Sequence, residues 1–139
     1  MKFGAIPLDR AQGAILAHSQ RVSGATYRKG RVLDADDVAA LQADGFESVV
    51  AVLLDPDELP ENDAAGLVAA ALAGDRVTLS NAATGRCNLT AAVRGVALFD
   101  PARIDAVNLI DEAVTVATVQ PFEQVEEGDL IATVKIITF

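Results

Sequence analysis

Aromatic residues are scarce. The 139-residue chain has no Trp, one Tyr and five Phe. Base-stacking platforms for single-stranded nucleic acid need such rings, so that class of binder is disfavoured. Any core must be built from Val, Leu, Ile and Ala. Cationic charge is short as well: eleven Lys and Arg stand against twenty Asp and Glu, a net charge of −9. A field of that sign repels polyanions and acidic membrane surfaces, so neither nucleic acid nor membrane is an expected partner. The longest unbroken apolar runs, Val49–Leu54 and Leu67–Ala73, fall far short of the ~20 residues of a membrane span. The first ten residues turn polar before any apolar signal region forms, so a cytoplasmic protein is expected. One Cys excludes an internal disulfide. A structural zinc site needs about four Cys or His ligands, and this chain has one of each, Cys87 and His18. No Walker loop, Gly-x-Gly-x-x-Gly turn or Gly-x-Ser-x-Gly elbow occurs.

What is present is apolar bulk. Hydrophobic residues make up 51% of the chain and charged residues 22%, a composition that folds and is not disordered. Length predicts one compact domain over residues 1–139. The breaker segment Asp55-Pro56-Asp57-Glu58-Leu59-Pro60 marks the best internal boundary, with possible sub-domains at 1–55 and 61–139. Charge is unevenly spread. Gln12 to Leu33 holds four bases and no acid, and Asp34 to Asp63 holds ten acids and no base. A local positive rim is therefore possible on an acidic protein.

Alternation predicts strands at Ile15–Val22 and around Arg28–Leu33, joined through Ser23-Gly24. Asp34 is placed to cap a helix, with Asp36 and Asp37 in its first turn. Val38, Leu41 and Ala35, Ala39 and Ala43 form its apolar stripe, and Gly45 ends it. Glu47–Leu54 reads as a buried strand. Glu61–Ala73 reads as a helix with Ala64, Leu67, Val68, Ala71 and Leu72 on one face. Further strands are predicted at Val77–Leu79, Val96–Phe99, Val114–Val119 and Leu130–Ile137. A helix over Pro101–Ile110 has Asp100 as its cap and Pro101 at its first position. The predicted fold is α+β, with mixed sheets, about three short helices and a strand-rich C-terminal half.

Few residues point to chemistry. His18 and Cys87 would form a nucleophilic pair only if folding brought them together. Asp111 and Glu112 could share acid–base or metal work, although a solvated turn between helix and strand is the simpler reading. The informative stretch is 80–90, Ser-Asn-Ala-Ala-Thr-Gly-Arg-Cys-Asn-Leu-Thr. It reads as a loop too long for a simple hairpin. Asn81, Thr84, Gly85, Arg86 and Asn88 offer amides, a hydroxyl, freed backbone N–H groups and a guanidinium, which together could cradle an anion or a heterocycle. The alternative is an ordinary polar surface loop. Tyr27-Arg28-Lys29-Gly30-Arg31 forms a second basic patch, with Arg28 and Lys29 as rim charges.

Four stretches carry a family resemblance. Residues 6–19, Ile-Pro-Leu-Asp-Arg-Ala-Gln-Gly-Ala-Ile-Leu-Ala-His-Ser, are similar to the start of molybdopterin-binding proteins of molybdenum-cofactor biosynthesis, with their Pro-Leu-x-x-Ala-x-Gly-x-x-Leu-Ala pattern. Residues 28–45, a basic-Gly turn leading into a short helix, resemble a further segment of that family. Residues 84–89 and the tail 128–137 resemble the leading region of a bacterial subgroup. The Gly-Gly-x-Ser loop of that family's main pterin-binding domain is absent. The resemblance therefore implies an N-terminal module with no catalytic residue and no directly bound metal. It would support cofactor biosynthesis by binding the pterin phosphate or by shaping its cleft. Molybdopterin is the implied ligand, a small anionic pterin. A homodimer or a downstream pterin-binding domain is the implied partner. A ligand-free oligomerisation module and a small lyase- or dehydratase-like domain using Asp111, Glu112 or His18 are the other two readings.

Overall fold

Asp34 caps the first α-helix as its position predicts. Its carboxylate accepts from the Asp37 N–H at 2.8 Å, and the Asp37 carboxylate reaches back to the Asp34 N–H, completing a capping box. That helix, α1, spans Ala35–Ala43. It ends in a Schellman motif: Gly45, at φ +85°, donates to Gln42 O, and Phe46 N–H donates to Leu41 O. Only part of the predicted stripe faces inward. Leu41 is buried and Val38 half-buried, whereas Ala35, Ala39 and Ala43 are exposed and Asp37 takes a buried place.

These contacts belong to a computed structural model that describes residues 1–137. The chain forms two compact units, Met1–Glu58 and a second beginning at Leu59. Their boundary falls in the Asp55–Pro60 breaker. In the first unit, strand β1 (Lys2–Pro7) pairs antiparallel with β5 (Ser48–Leu53), which also pairs with the short β2 (Ile15–Leu16). β5 is the central strand of this sheet, and Val49, Ala51 and Val52 of its apolar run are buried in the core. The predicted strand Ile15–Val22 is broken at 17–19. Its second part, β3 (Gln20–Val22), forms a hairpin with β4 (Ala25–Tyr27), and Arg28–Leu33 is a turn with a single bridge, Ile15 to Val32. The hairpin turn is Ser23-Gly24, both with positive φ, the geometry that matches the twist of its strands. The core of this unit gathers Leu8, Leu16, Val22, Leu33, Leu41 and Val49.

The second unit is an antiparallel sheet of four strands with helices on one face. Its helices are α2 (Glu61–Leu72) and α3 (Pro101–Asn108), and the sheet order is β6 (Val77–Leu79), β7 (Arg86–Ala91), β11 (Leu130–Ile136), β9 (Val114–Thr118). A two-stranded ribbon, β8 (Gly95–Val96) with β10 (Gln124–Val125), stands where a longer strand was predicted at Val96–Phe99. Ala65 and Ala69 of α2 are buried against Cys87, Leu89, Val134 and Ile136. Leu67 and Ala71, predicted on that face, point outward, because the helix presents Ala64, Ala65, Val68, Ala69 and Leu72 instead. The α+β class is as predicted; where mixed sheets were expected, every named pair is antiparallel.

The side chain of Asn108, at the end of α3, closes the outer edge of β9. Its amide donates to Val116 O at 2.9 Å and accepts from Val116 N–H at 2.7 Å. One side chain thereby satisfies both backbone groups as a further strand would. Asn108→Ala is expected to destabilise the unit by about 2 kcal/mol, read from denaturant midpoints, and to speed hydrogen exchange at Val116. Asn108→Asp should do no better, since it sets a carboxylate against a carbonyl oxygen.

Candidate functional site

The 80–90 stretch is a tight hairpin. Ala83 and Arg86 exchange both backbone hydrogen bonds, at 2.9 and 3.0 Å, around Thr84 (φ +50°) and Gly85 (φ +68°). That is a two-residue turn with both central residues left-handed. The second half of the predicted loop is β7, a central strand. Most of the backbone expected to cradle a ligand is engaged within the protein. Gly85 N–H donates to Asn62 Oδ1 at 2.8 Å, and Gly85 O accepts from Ile136 N–H at 2.7 Å. Thr84 O accepts from the Lys135 ammonium. Asn88 N–H donates to Ser80 Oγ at 3.0 Å. The Gly85 N–H is therefore spent within the protein, as is the Thr84 hydroxyl, which donates to Ala83 O at 2.7 Å.

The side chains of β7 alternate. Cys87, Leu89 and Ala91 are buried under the helices, and Arg86, Asn88 and Thr90 face the other way. Across the pair with β11, Arg86 stands opposite Lys135 and Asn88 opposite Thr133. Thr133 Oγ1 donates to Asn88 Oδ1 at 3.0 Å, which leaves the Asn88 NH₂ directed elsewhere. Thr115 of β9 extends the same face beside Lys135. The result is an open polar wall carrying two cations in direct register. Arg86 is exposed and makes no ion pair among the described residues. Like charges directly opposite one another destabilise a strand pair, and an anion between them relieves that. The Glu61 carboxylate borders the turn: it and the Lys135 ammonium each lie 3.2 Å from where a Gly85 Cβ would stand.

Of the seven predicted site residues, Thr84, Gly85, Arg86 and Asn88 come together here, and Asn81 is exposed in the segment just before the turn. Arg28 and Lys29 lie in the other unit, exposed, in a turn at Gly30 where Lys29 N–H donates to Ser19 Oγ at 3.1 Å. Arg31, part of the expected basic patch, is committed internally. Its guanidinium grips Asp37 through two hydrogen bonds of 2.7 and 2.8 Å and lies 4.5 Å over the Tyr27 ring. Arg31 holds the Asp37 carboxyl below its usual range, against the opposing effect of burial. Burial, reinforced by Asp37, raises Tyr27. Lys135 is the site residue that sequence reasoning missed. Its signal was the alternation of Thr133 and Lys135 with Val134 and Ile136 in the last strand.

Two of the other candidates make hydrogen bonds to the backbone. Asp111 Oδ1 accepts from Ala113 N–H at 2.8 Å in the turn before β9. The Cys87 thiol is buried and donates to Ser80 O at 3.3 Å, while His18 is exposed in the first unit. Among the described residues, no three His, Cys, Asp or Glu side chains converge to hold a metal, and no helix is long and apolar enough to cross a membrane. The second unit does have a cavity, of about 530 Å³, on the helix-bearing side of the sheet. It is mostly apolar, and none of the seven predicted residues lines it.

Residues 5–52, inside the first unit, match a family described as Domain of unknown function (DUF8806). No curated protein and no solved structure matches the chain.

Proposed function

We propose that the chain is a non-catalytic module of a molybdopterin-binding protein, supporting molybdenum-cofactor biosynthesis by presenting one wall of the pterin cleft to the ligand's phosphate. The resemblance of residues 6–19, 28–45, 84–89 and 128–137 supports the family reading. One observation supports the mode of action: Arg86 faces Lys135 in register on an open sheet face, with the Asn88 amide beside them. Two cations and an amide can meet a phosphate from one side. An open face cannot enclose the ligand, so affinity for the lone chain is low and falls steeply with salt.

Calorimetric titration of the chain with molybdopterin, or with a pterin phosphate, tests this at low ionic strength. Saturable heat is expected, at least tenfold weaker binding in Arg86→Ala, and none in Arg86→Glu. Absence of heat at millimolar protein, or equal binding by Arg86→Ala, rejects the assignment. Arg86 is exposed and holds no ion pair, so its replacement leaves the fold readable by circular dichroism.

A further inference from the structure

The apolar cavity of the second unit has no part in that reading. Leu89, Ala91 and Val116 of the sheet wall it together with Leu72 of α2 and Ile104 of α3. It continues to Val96 and Leu98, which are large, apolar and exposed. A pterin ring does not suit it. The amide and amine groups on the ring's edge would need partners, and Thr118 is the one uncharged polar side chain in the lining. Two guanidinium groups border it. Arg94 meets Glu126 at 3.2 Å, both well exposed, and Arg76 has no side-chain partner among the described residues.

The same unit carries the converse shape. Just past α3, Leu109 and Ile110 are 85% and 76% exposed. Asp111 and Glu112 follow at once, both exposed. This corner is rigid before any contact. Leu109 N–H donates to Asp105 O, Ile110 N–H to Val107 O, and Val114 N–H to Asp111 O. Asp111 Oδ1 holds the Ala113 N–H, which leaves its second oxygen for a partner.

We propose that a second copy of this chain fills the cavity with Leu109 and Ile110, placing Asp111 and Glu112 beside Arg76 and Arg94. An apolar corner tipped with two carboxylates complements an apolar hollow bordered by two guanidinium groups. Apolar burial supplies the attraction, and the charges fix the register and steer encounter between molecules that otherwise repel at −9 each. A preformed corner loses little freedom on docking. The contact is independent of the pterin reading, because it uses none of the residues assigned to the Arg86 face.

Sedimentation of the 139-residue chain across micromolar to millimolar concentration tests it. Reversible association is expected. Leu109→Asp with Ile110→Asp should weaken it at least tenfold with an unchanged circular dichroism spectrum, since both side chains are exposed. Asp111→Lys with Glu112→Lys should weaken it similarly, and so should Arg76→Glu with Arg94→Glu. All four reversals in one chain, with Glu126→Lys to keep the pairing at position 94, should restore it. A chain that stays monomeric at millimolar concentration overturns the proposal, as does association indifferent to the Leu109 and Ile110 replacements. Failure of the combined reversal to restore association overturns it too. A monomer that takes up decanoate saturably assigns the cavity to a small amphiphile instead, and also overturns it.

Discussion

Gly85→Ala is expected to destabilise the second unit by about 3 kcal/mol, seen as a lowered urea midpoint with an unchanged slope. Two effects add. Gly85 sits at φ +68°, where an L side chain costs about 1–2 kcal/mol. A Cβ there would also lie 2.7 Å from the backbone oxygen of Ile136. That oxygen belongs to β11 and cannot swing aside as a side-chain tip would. Relief requires moving the turn off the strand, which lengthens the Ile136 N–H to Gly85 O bond of 2.7 Å. Gly85→Asn separates the two effects. Asn tolerates the left-handed region, yet its Cβ meets the same oxygen, so it should recover only the smaller part. A Gly85→Ala protein within about 0.5 kcal/mol of the parent would mean that the turn does not pack on β11 as described.

Asp37→Ala should cost the first unit about 2–3 kcal/mol. Its side chain is 5% exposed and carries both the reciprocal cap of α1 and the forked bond to Arg31. The acid dependence follows from the lowered pKa. The folded carboxylate holds its proton less tightly than the unfolded one, whose value is about 3.9. Its contribution is therefore complete above that range, unchanged between neutrality and about pH 5, and lost as pH falls through the depressed folded value. Acid titration of stability, followed by circular dichroism, should show this as a decline below about pH 4. Asp37→Asn should flatten that decline. An identical acid limb in the variant would assign it to other carboxylates. Arg31→Met should raise the Asp37 pKa, since it leaves a buried carboxylate without its partner.

Where local chemistry and burial point the same way, the sequence is legible. Asp34, Asp37 and Gly45 mark α1 to the residue, because capping depends on neighbours within a turn. Asp100 and Pro101 do the same for the start of α3. Ser23-Gly24 is readable as a turn, yet the equivalent Thr84-Gly85 is hidden. The strand that follows it, Arg86–Ala91, includes Asn88 and Ala91, residue types depleted in strands, and opens on a charged Arg. Its place between two neighbours is what makes it a strand, and that comes from pairing with β11, some forty residues away. The same long-range pairing creates the Arg86–Lys135 register, so half of the candidate site could not be read from residues 80–90 alone. The inward face of α2 misleads for a different reason. Leu67 and Val68 are adjacent and both apolar, and only the small Ala65 and Ala69 fit close to the sheet.

The amide of Asn108 has a wider consequence. It terminates the β9 margin of the four-stranded sheet, and the opposite margin, β6, is three residues long. The Asn108 amide occupies both backbone groups of Val116 at the middle of β9, and β6 is short, so each margin gives a stranger little backbone to zip onto. The self-association proposed above would therefore rest on the shape and charge of side chains and not on strand pairing.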